Sequence, residues 1–175
     1  MPLISVTRFR SRSVVFLPLF ALHANRSMGQ ARKADGLLSG AVQRQTDGSF
    51  WTVSVWRDER AMHAYVASGP HRSAMPHLRD WAIEASVVRW MADSPALPSW
   101  DEAARRMREE GRSSKLRHPG PDHADRGYPE ANTAGSIRLE RRASECGWQG
   151  ERCSAGVLVN VTLLAAQGMN VPDAI

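Results

Sequence analysis

The chain has 175 residues, 42% of them hydrophobic, which is enough for one compact domain and a tail. Its net charge is +5, but the 23 basic residues are scattered among 18 acidic ones, whereas nucleic-acid-binding surfaces concentrate their positive charge. No apolar run reaches the roughly 18 residues that a membrane-spanning helix needs. We therefore predict neither a nucleic-acid partner nor a membrane partner.

The N-terminal segment has two interpretations. Arg8, Arg10 and Arg12, followed by the apolar run VVFLPLFAL, resemble a signal peptide that would end near residue 24. Alternatively, residues 3–9 form a strand, and Ser13 caps a helix that extends to Lys33. We favour the strand and helix because they complete the fold predicted below, and this choice places the protein in the cytoplasm.

The next elements follow from alternation, helical spacing and turn residues. Alternating Trp51, Val53 and Val55 predict a strand that begins at Phe50. Asp58 precedes apolar residues at helical spacing and is predicted to be the N-cap of a helix. The full predicted order after the first helix is a strand (37–45), an Asp-Gly turn (46–49), a strand from residue 50, a helix, a Gly69-Pro70 break, a second helix and a strand (83–91).

This order predicts an α+β domain over residues 1–94. Strand, helix, strand, strand, helix, strand is the ferredoxin-like split βαβ arrangement (βαββαβ), one antiparallel sheet with its helices on one face. The other face would then be open to solvent. A second copy of the same sheet is the simplest cover for such a face, so we predict a homodimer that forms an α+β barrel.

Residues 95–121 are predicted to form a helical arm and residues 122–175 a mostly disordered tail. In the arm, Ser99 and Glu102 match a capping box, and the helix has only a thin apolar stripe of Ala103, Ala104 and Met107. The tail has no sustained period and few large apolar residues. Its two cysteines, Cys146 and Cys153, are read as incidental thiols, with a small disulfide loop as the alternative, and no metal site is predicted.

Residues 1–118 resemble the dimeric α+β barrel superfamily that includes antibiotic-biosynthesis monooxygenases. Within it they are most similar to a branch grouped near spheroidene-monooxygenase-like proteins. The resemblance lies in three stretches: RFRSRSVVFLPLF, FWTVSVWRDERAMHAYVASGPHRSAMPHLRDWAIEASVVRW and LPSWDEAARRMREEGRSSKLRHP. It implies a range of functions: cofactor-free oxidation of aromatic polyketides, haem degradation, carotenoid oxygenation, chlorite breakdown or non-catalytic binding.

The sequence departs from the haem-degrading members of that superfamily. Aligned from Trp56, Thr7 stands where they have an asparagine, Tyr65 where they have a tryptophan, and Met75 where they have a histidine. We therefore predict no cofactor. Haem bound through His71 as axial ligand stays open as an alternative.

Candidate site residues come from the second and third predicted helices and the strand before them. His71 and Tyr65 fall on inward-facing helical positions and are the candidate catalytic residues, although His71 could equally be a buried structural histidine. Glu84 is a possible partner of His71 or of Arg72. The candidate substrate-binding residues are Trp56, Arg72, Met75 and Trp81.

These residues predict a monooxygenase-like protein. It would oxidise or bind a small, flat, apolar molecule, aromatic or isoprenoid, in a cavity between sheet and helices, with Trp56 as a wall. His71 or Tyr65 would remove a proton from that molecule. The alternatives are a non-catalytic dimeric protein of the same fold that binds a ligand or has a structural role, and a haem-binding protein.

Overall fold

The computed structural model describes residues 1–128 and 133–139. The strands are β1 (Leu3–Ser11), β2 (Leu37–Gln45), β3 (Phe50–Trp56), β4 (Ala82–Met91), β5 (Arg112–Ser113) and β6 (Thr133–Leu139). The α-helices are α1 (Leu17–Lys33), α2 (Glu59–Val66), α3 (Gly69–Trp81) and α4 (Trp100–Glu110). Short 3-10 helices cover Val14–Phe16 and Pro121–His123.

The six strands form one sheet in the order β5-β4-β1-β3-β2-β6, and every pair is antiparallel. Its inner four strands have the order 4-1-3-2, which confirms the predicted ferredoxin-like arrangement. The N-terminal strand β1 lies between β4 and β3. The strand-plus-helix interpretation of the first 33 residues is therefore confirmed, and β1 is central to the sheet.

Local chemistry explains where the elements begin and turn. The Asp58 carboxylate accepts a hydrogen bond from the Ala61 amide at 2.8 Å and starts α2, and the Ser99 hydroxyl accepts one from the Glu102 amide at 3.1 Å and starts α4. In the β2–β3 hairpin, Asp47 accepts from the Ser49 amide at 2.8 Å. Asp58, Ser99 and the Asp-Gly turn were all predicted from the sequence.

The sheet face opposite α1, α2 and α3 is covered by α4, which corrects the prediction of an open face. Ala103, Ala104 and Met107 are all at most 5% exposed. They pack on apolar side chains that point to this face from β1, β3 and β4: Ile4, Val6, Trp51, Val53, Val55 and Val88. Met107 follows Ala103 by four residues and Ala104 by three, so it contacts both on one helix face. Trp100 and Tyr128 pack against the same cluster. The homodimer stays a prediction that rests on the family resemblance alone.

Part of the predicted disordered tail is ordered. Residues 133–139 form β6, which pairs with the outer edge of β2, and Tyr128 is buried against the α4 side of the sheet. The tail lacks a run of large apolar residues, but backbone hydrogen bonds to a free strand edge need none. Cys146, Cys153 and residues 140–175 as a whole lie outside the described residues. Within the described part, no helix is both long and apolar enough to span a membrane.

Candidate functional site

A cavity of about 370 Å³ lies between the sheet and helices α1, α2 and α3. Its floor consists of three rows of residues that pair across β3, β1 and β4. From one end to the other, the rows are Ser54–Ser5–Arg89, Thr52–Thr7–Val87 and Phe50–Phe9–Ala85. Thr7 is exposed although it lies in the middle of a central strand, so the cavity opens to solvent above it.

The first row is covered by a series of aromatic rings. The Trp56 and Tyr65 ring centroids are 5.0 Å apart, and those of Tyr65 and His71 are 4.7 Å apart. The Trp56 indole N–H donates to the Ser54 hydroxyl at 2.9 Å, which fixes the indole against the sheet. These rings come from the end of β3, from α2 and from the first turn of α3, so three elements converge at this end of the cavity.

His71 is held at the start of α3 by Gln30 of α1, whose side-chain oxygen accepts a hydrogen bond from the His71 amide at 2.9 Å. The Gln30 side-chain nitrogen donates to the Tyr65 carbonyl at 3.0 Å, which links the helices. Burial lowers the pKa of His71; the Val66 carbonyl raises it in part, and the nearby Arg89 lowers it further. His71 is therefore a neutral imidazole at neutral pH.

Nδ1 of His71 is buried and has no hydrogen-bond partner within the described residues. A buried imidazole nitrogen without a partner is costly, and a donor on a bound molecule would relieve that cost. A ligand that enters the cavity can therefore contact Nδ1 only if the imidazole ring turns.

Tyr65 cannot be a base in this environment. Burial raises the pKa of its phenol, so the hydroxyl stays protonated at any physiological pH. That hydroxyl donates to the Ser27 carbonyl of α1 at 3.2 Å. Of the two residues predicted as catalytic, His71 alone has the protonation state of a proton acceptor.

The opposite end of the cavity is aromatic and apolar. Phe9 and Phe20 stack with their ring centroids 4.3 Å apart, and Phe20 lies 5.0 Å from Phe50. Leu78 of α3 packs against the same cluster. A flat apolar group inserted from the solvent side would meet ring faces here.

The structure brings together four of the six predicted site residues. Trp56, Tyr65, His71 and Met75 line the cavity. Arg72 is exposed and is not among the lining residues. Trp81 is likewise not a lining residue: it is buried between Phe16 and His77, with centroid distances of 6.1 and 5.2 Å.

Glu84 is not a partner of His71 or Arg72, contrary to expectation. It points to the other face of the sheet, where its carboxylate binds the buried Arg8 and, at 3.1 Å, Arg10. The strand alternation decides this, because Glu84 and Arg89 are five positions apart on β4 and so point to opposite faces.

Sequence reasoning missed Arg89, the hydroxyl groups of the floor and the phenylalanine cluster. The available signal was the pairing of strands: once β1 is placed beside β3 and β4, Ser5, Thr7, Thr52 and Ser54 share one face with Arg89. A cluster of four hydroxyl residues on a covered sheet face is unusual for a pure core, since such faces are normally apolar.

Residues 1–128 and 133–139 include no group of three or more histidine, cysteine, aspartate or glutamate side chains that could hold a metal ion. Haem would need an axial nitrogen that the iron can approach. The unpaired nitrogen of His71 is buried, so iron could reach it only if the ring moved. Haem therefore stays the alternative that the sequence left open, since the same burial applies to any molecule that approaches this nitrogen.

Comparison with known proteins decides the family. Residues 20–127 match the family described as "Domain of unknown function (DUF3291)". The chain belongs to the DUF3291 family. Among curated proteins, none matches this DUF3291 chain significantly.

Solved structures similar to this DUF3291 protein match a little over half of its chain. They include a variant of SnoaB, a cofactor-independent oxygenase from Streptomyces nogalater (19% identity, 56% of this chain and 98% of that chain, TM-score 0.46). Rv0793 from Mycobacterium tuberculosis is 18% identical, with 54% of this chain and 97% of that chain covered and a TM-score of 0.49. An antibiotic biosynthesis monooxygenase is 16% identical, with 53% of this chain and 99% of that chain covered and a TM-score of 0.47.

Proposed function

We propose that the cavity of this DUF3291 protein binds a small, flat, largely apolar metabolite and that His71 starts its oxidation by molecular oxygen. The observation that carries the proposal is a neutral, partly buried imidazole with an unsatisfied nitrogen, at the wall of a cavity lined by aromatic rings. Such a cavity has the size and lining typical of small-molecule sites.

The proposed reaction needs a base and oxygen. His71 accepts a proton from an activated C–H group, one that lies between aromatic or carbonyl groups, and the resulting carbanion reacts with O₂. If a CH₂ group becomes a carbonyl, one oxygen atom enters the product and the other leaves as water, so no outside reductant is required. Trp56 and the phenylalanine cluster would position the rings of the substrate, and the aromatic rings that cover the first row would keep water away from the carbanion.

Tyr65 has a supporting role in this proposal. Its ring holds the His71 imidazole from one side, and its hydroxyl is engaged with Ser27. No step passes through haem or a metal.

A non-catalytic ligand-binding protein is the second candidate. It is favoured by the burial of Nδ1, which leaves the proposed base out of direct contact with the open part of the cavity. In that case His71 stabilises the start of α3 and takes no part in chemistry.

The experiment is native mass spectrometry of protein purified from its own host, followed by incubation of any retained molecule in ¹⁸O₂. Oxygen uptake with one ¹⁸O in the product, lost in His71→Gln, supports the oxygenase. A retained molecule that the protein leaves unchanged in air supports the binding protein.

A further inference from the structure

We propose that the cavity takes an anionic ligand, with its anionic group at Arg89 and its apolar body against Phe9, Phe20 and Phe50. This rests on the proposed function in one respect, that a small molecule occupies the cavity. It adds the charge of that molecule and its direction in the site.

The floor of the cavity is graded from polar to apolar along the strands. The row of Ser54, Ser5 and Arg89 is polar and cationic, whereas the row of Phe50, Phe9 and Ala85 is entirely apolar. Four residues separate the two rows on each strand, which corresponds to about 13 Å at the usual rise of a strand. A molecule with a polar head and either one aromatic ring or two fused rings matches that length.

Arg89 is a cation without a counter-charge. It forms no salt bridge with any residue in 1–128 or 133–139, and none of the described residues that line the cavity is an aspartate or glutamate. Arg8 of β1 also borders the cavity, but its side chain lies on the opposite face of the sheet, where it is paired with Asp47 at 2.7 Å and with Glu84.

Arg89 also acts on the proposed base. It is close enough to His71 to lower the pKa of that imidazole. Arg89 shares a row with Ser54, which holds the indole of Trp56, and that indole stacks on Tyr65 beside His71, so Arg89 and His71 lie at the same end of the cavity. In its neutral form His71 does not compete for an anion. A guanidinium can bind a carboxylate or other oxyanion through two parallel hydrogen bonds.

The hydroxyl groups strengthen the preference for an oxyanion. Within the described residues, the side chains of Ser5, Thr7 and Thr52 show no hydrogen bond, so they are free to donate to a ligand. A cationic ligand would meet Arg89 with no acid to offset the repulsion.

Two fluorescent dyes that differ in one group provide the test. 8-Anilinonaphthalene-1-sulfonate is anionic, and N-phenyl-1-naphthylamine is the same aromatic molecule without the sulfonate. Both would be titrated into the purified full chain at low and at moderate salt. We expect the anionic dye to bind about tenfold more tightly than the neutral one, with an affinity that falls as salt is added.

Three variants locate the effect. In Arg89→Gln the affinity for the anionic dye falls to that of the neutral dye, while the neutral dye is unaffected. Arg72→Gln is the matched control, because Arg72 is exposed, as Arg89 is, but lies on α3 and does not line the cavity. Ala24→Phe, which fills the cavity beside Phe20, weakens both dyes, and its melting temperature shows that the fold is intact.

The outcomes separate the two proposals. If the neutral dye binds in the cavity but the two dyes bind equally, or if Arg89→Gln leaves their ratio unchanged, Arg89 is a solvated surface arginine and the anionic ligand is wrong. If neither dye binds, or if Ala24→Phe has no effect on either, a small-molecule cavity is itself wrong and both proposals fail.

Discussion

The imidazole of His71 lies against the phenol ring of Tyr65, with ring centroids 4.7 Å apart, yet burial moves the pKa values of the two groups in opposite directions. Burial disfavours the charged form of each group, which is the protonated imidazole and the deprotonated phenol. Both side chains are therefore neutral near pH 7, and only the imidazole can accept a proton.

This difference predicts unequal effects of two conservative substitutions on turnover. His71→Gln should lower kcat by about 10² to 10⁴, the usual contribution of a general base, whereas Tyr65→Phe should retain kcat within about tenfold. Oxygen uptake with the molecule identified from the native host is the measurement. Equal losses in the two variants would show that His71 is not the base.

Tyr65→Phe should have its clearest effect on stability. The substitution removes the hydroxyl that donates to the Ser27 carbonyl at 3.2 Å but keeps the ring between Trp56 and His71. We expect the free energy of unfolding to fall by about 1 kcal/mol, as for one hydrogen bond, in urea denaturation. An unchanged midpoint would mean that this hydrogen bond does not hold α2 to α1.

The pH dependence of stability follows from the lowered pKa of His71. The unfolded chain binds a proton near the ordinary value of 6.5, and the folded protein binds one only at lower pH. The contribution of His71 to the free energy of unfolding is therefore fully present above about pH 6.5, and it declines as the pH falls toward the folded-state pKa. His23 contributes in the same direction, because burial, His77 and Arg26 lower its pKa.

Melting temperatures measured between pH 7.5 and pH 5 test this point. The decrease should be smaller in His71→Gln than in the wild type, because the variant has no imidazole at this position to protonate. His118→Gln is the control, since His118 is exposed and forms no ion pair within the described residues, and its decrease should match that of the wild type. A His71→Gln profile parallel to the wild type would refute the assignment.

On the other face of the sheet, Arg8 forms a buried ion pair with Glu84. Their side chains are 0% and 4% exposed, and the Arg8 guanidinium lies 3.9 Å from the ring centroid of Tyr128. Glu84→Gln leaves a buried guanidinium with Asp47 as its remaining anion. We expect a loss of about 3 kcal/mol in the free energy of unfolding, at the low end for a broken buried pair because Asp47 remains.

Denaturant unfolding of Glu84→Gln should be compared with that of Glu109→Gln. Glu109 pairs with Arg105 on the solvent side of α4, so its removal should leave the unfolding midpoint unchanged. Similar midpoints for the two variants would mean that the buried pair contributes little.

The contact of α4 with the sheet predicts a large cost for Met107→Ala. Met107 is completely buried, and its truncation leaves a cavity in the core cluster that contains Val6 and Val53. The free energy of unfolding should fall by about 2–5 kcal/mol. Met91→Ala serves as the control because Met91 is 48% exposed, and its free energy of unfolding should equal that of the wild type. A small effect at Met107 would mean that α4 leaves the sheet readily.

The order and limits of the elements in residues 1–91 were determined by the sequence itself. Strand alternation, the cap at Asp58, the Asp-Gly turn and the Gly69-Pro70 break act within a few residues, so their consequences can be read locally. The inward positions of Trp56, Tyr65, His71 and Met75 followed from the same periodicity. The cap of α4 at Ser99 was predicted from the sequence in the same way.

Only the tertiary structure decided which distant residues meet. The register of β1 with β3 and β4 aligned Arg89 with Ser5 and Ser54, and it sent Glu84 to the opposite face to pair with Arg8. The docking of α4 and the pairing of β6 with β2 likewise depend on which surfaces remain uncovered after the rest has folded. Contacts of this kind join residues tens of positions apart, and their energy depends on packing and register, which local sequence patterns do not encode.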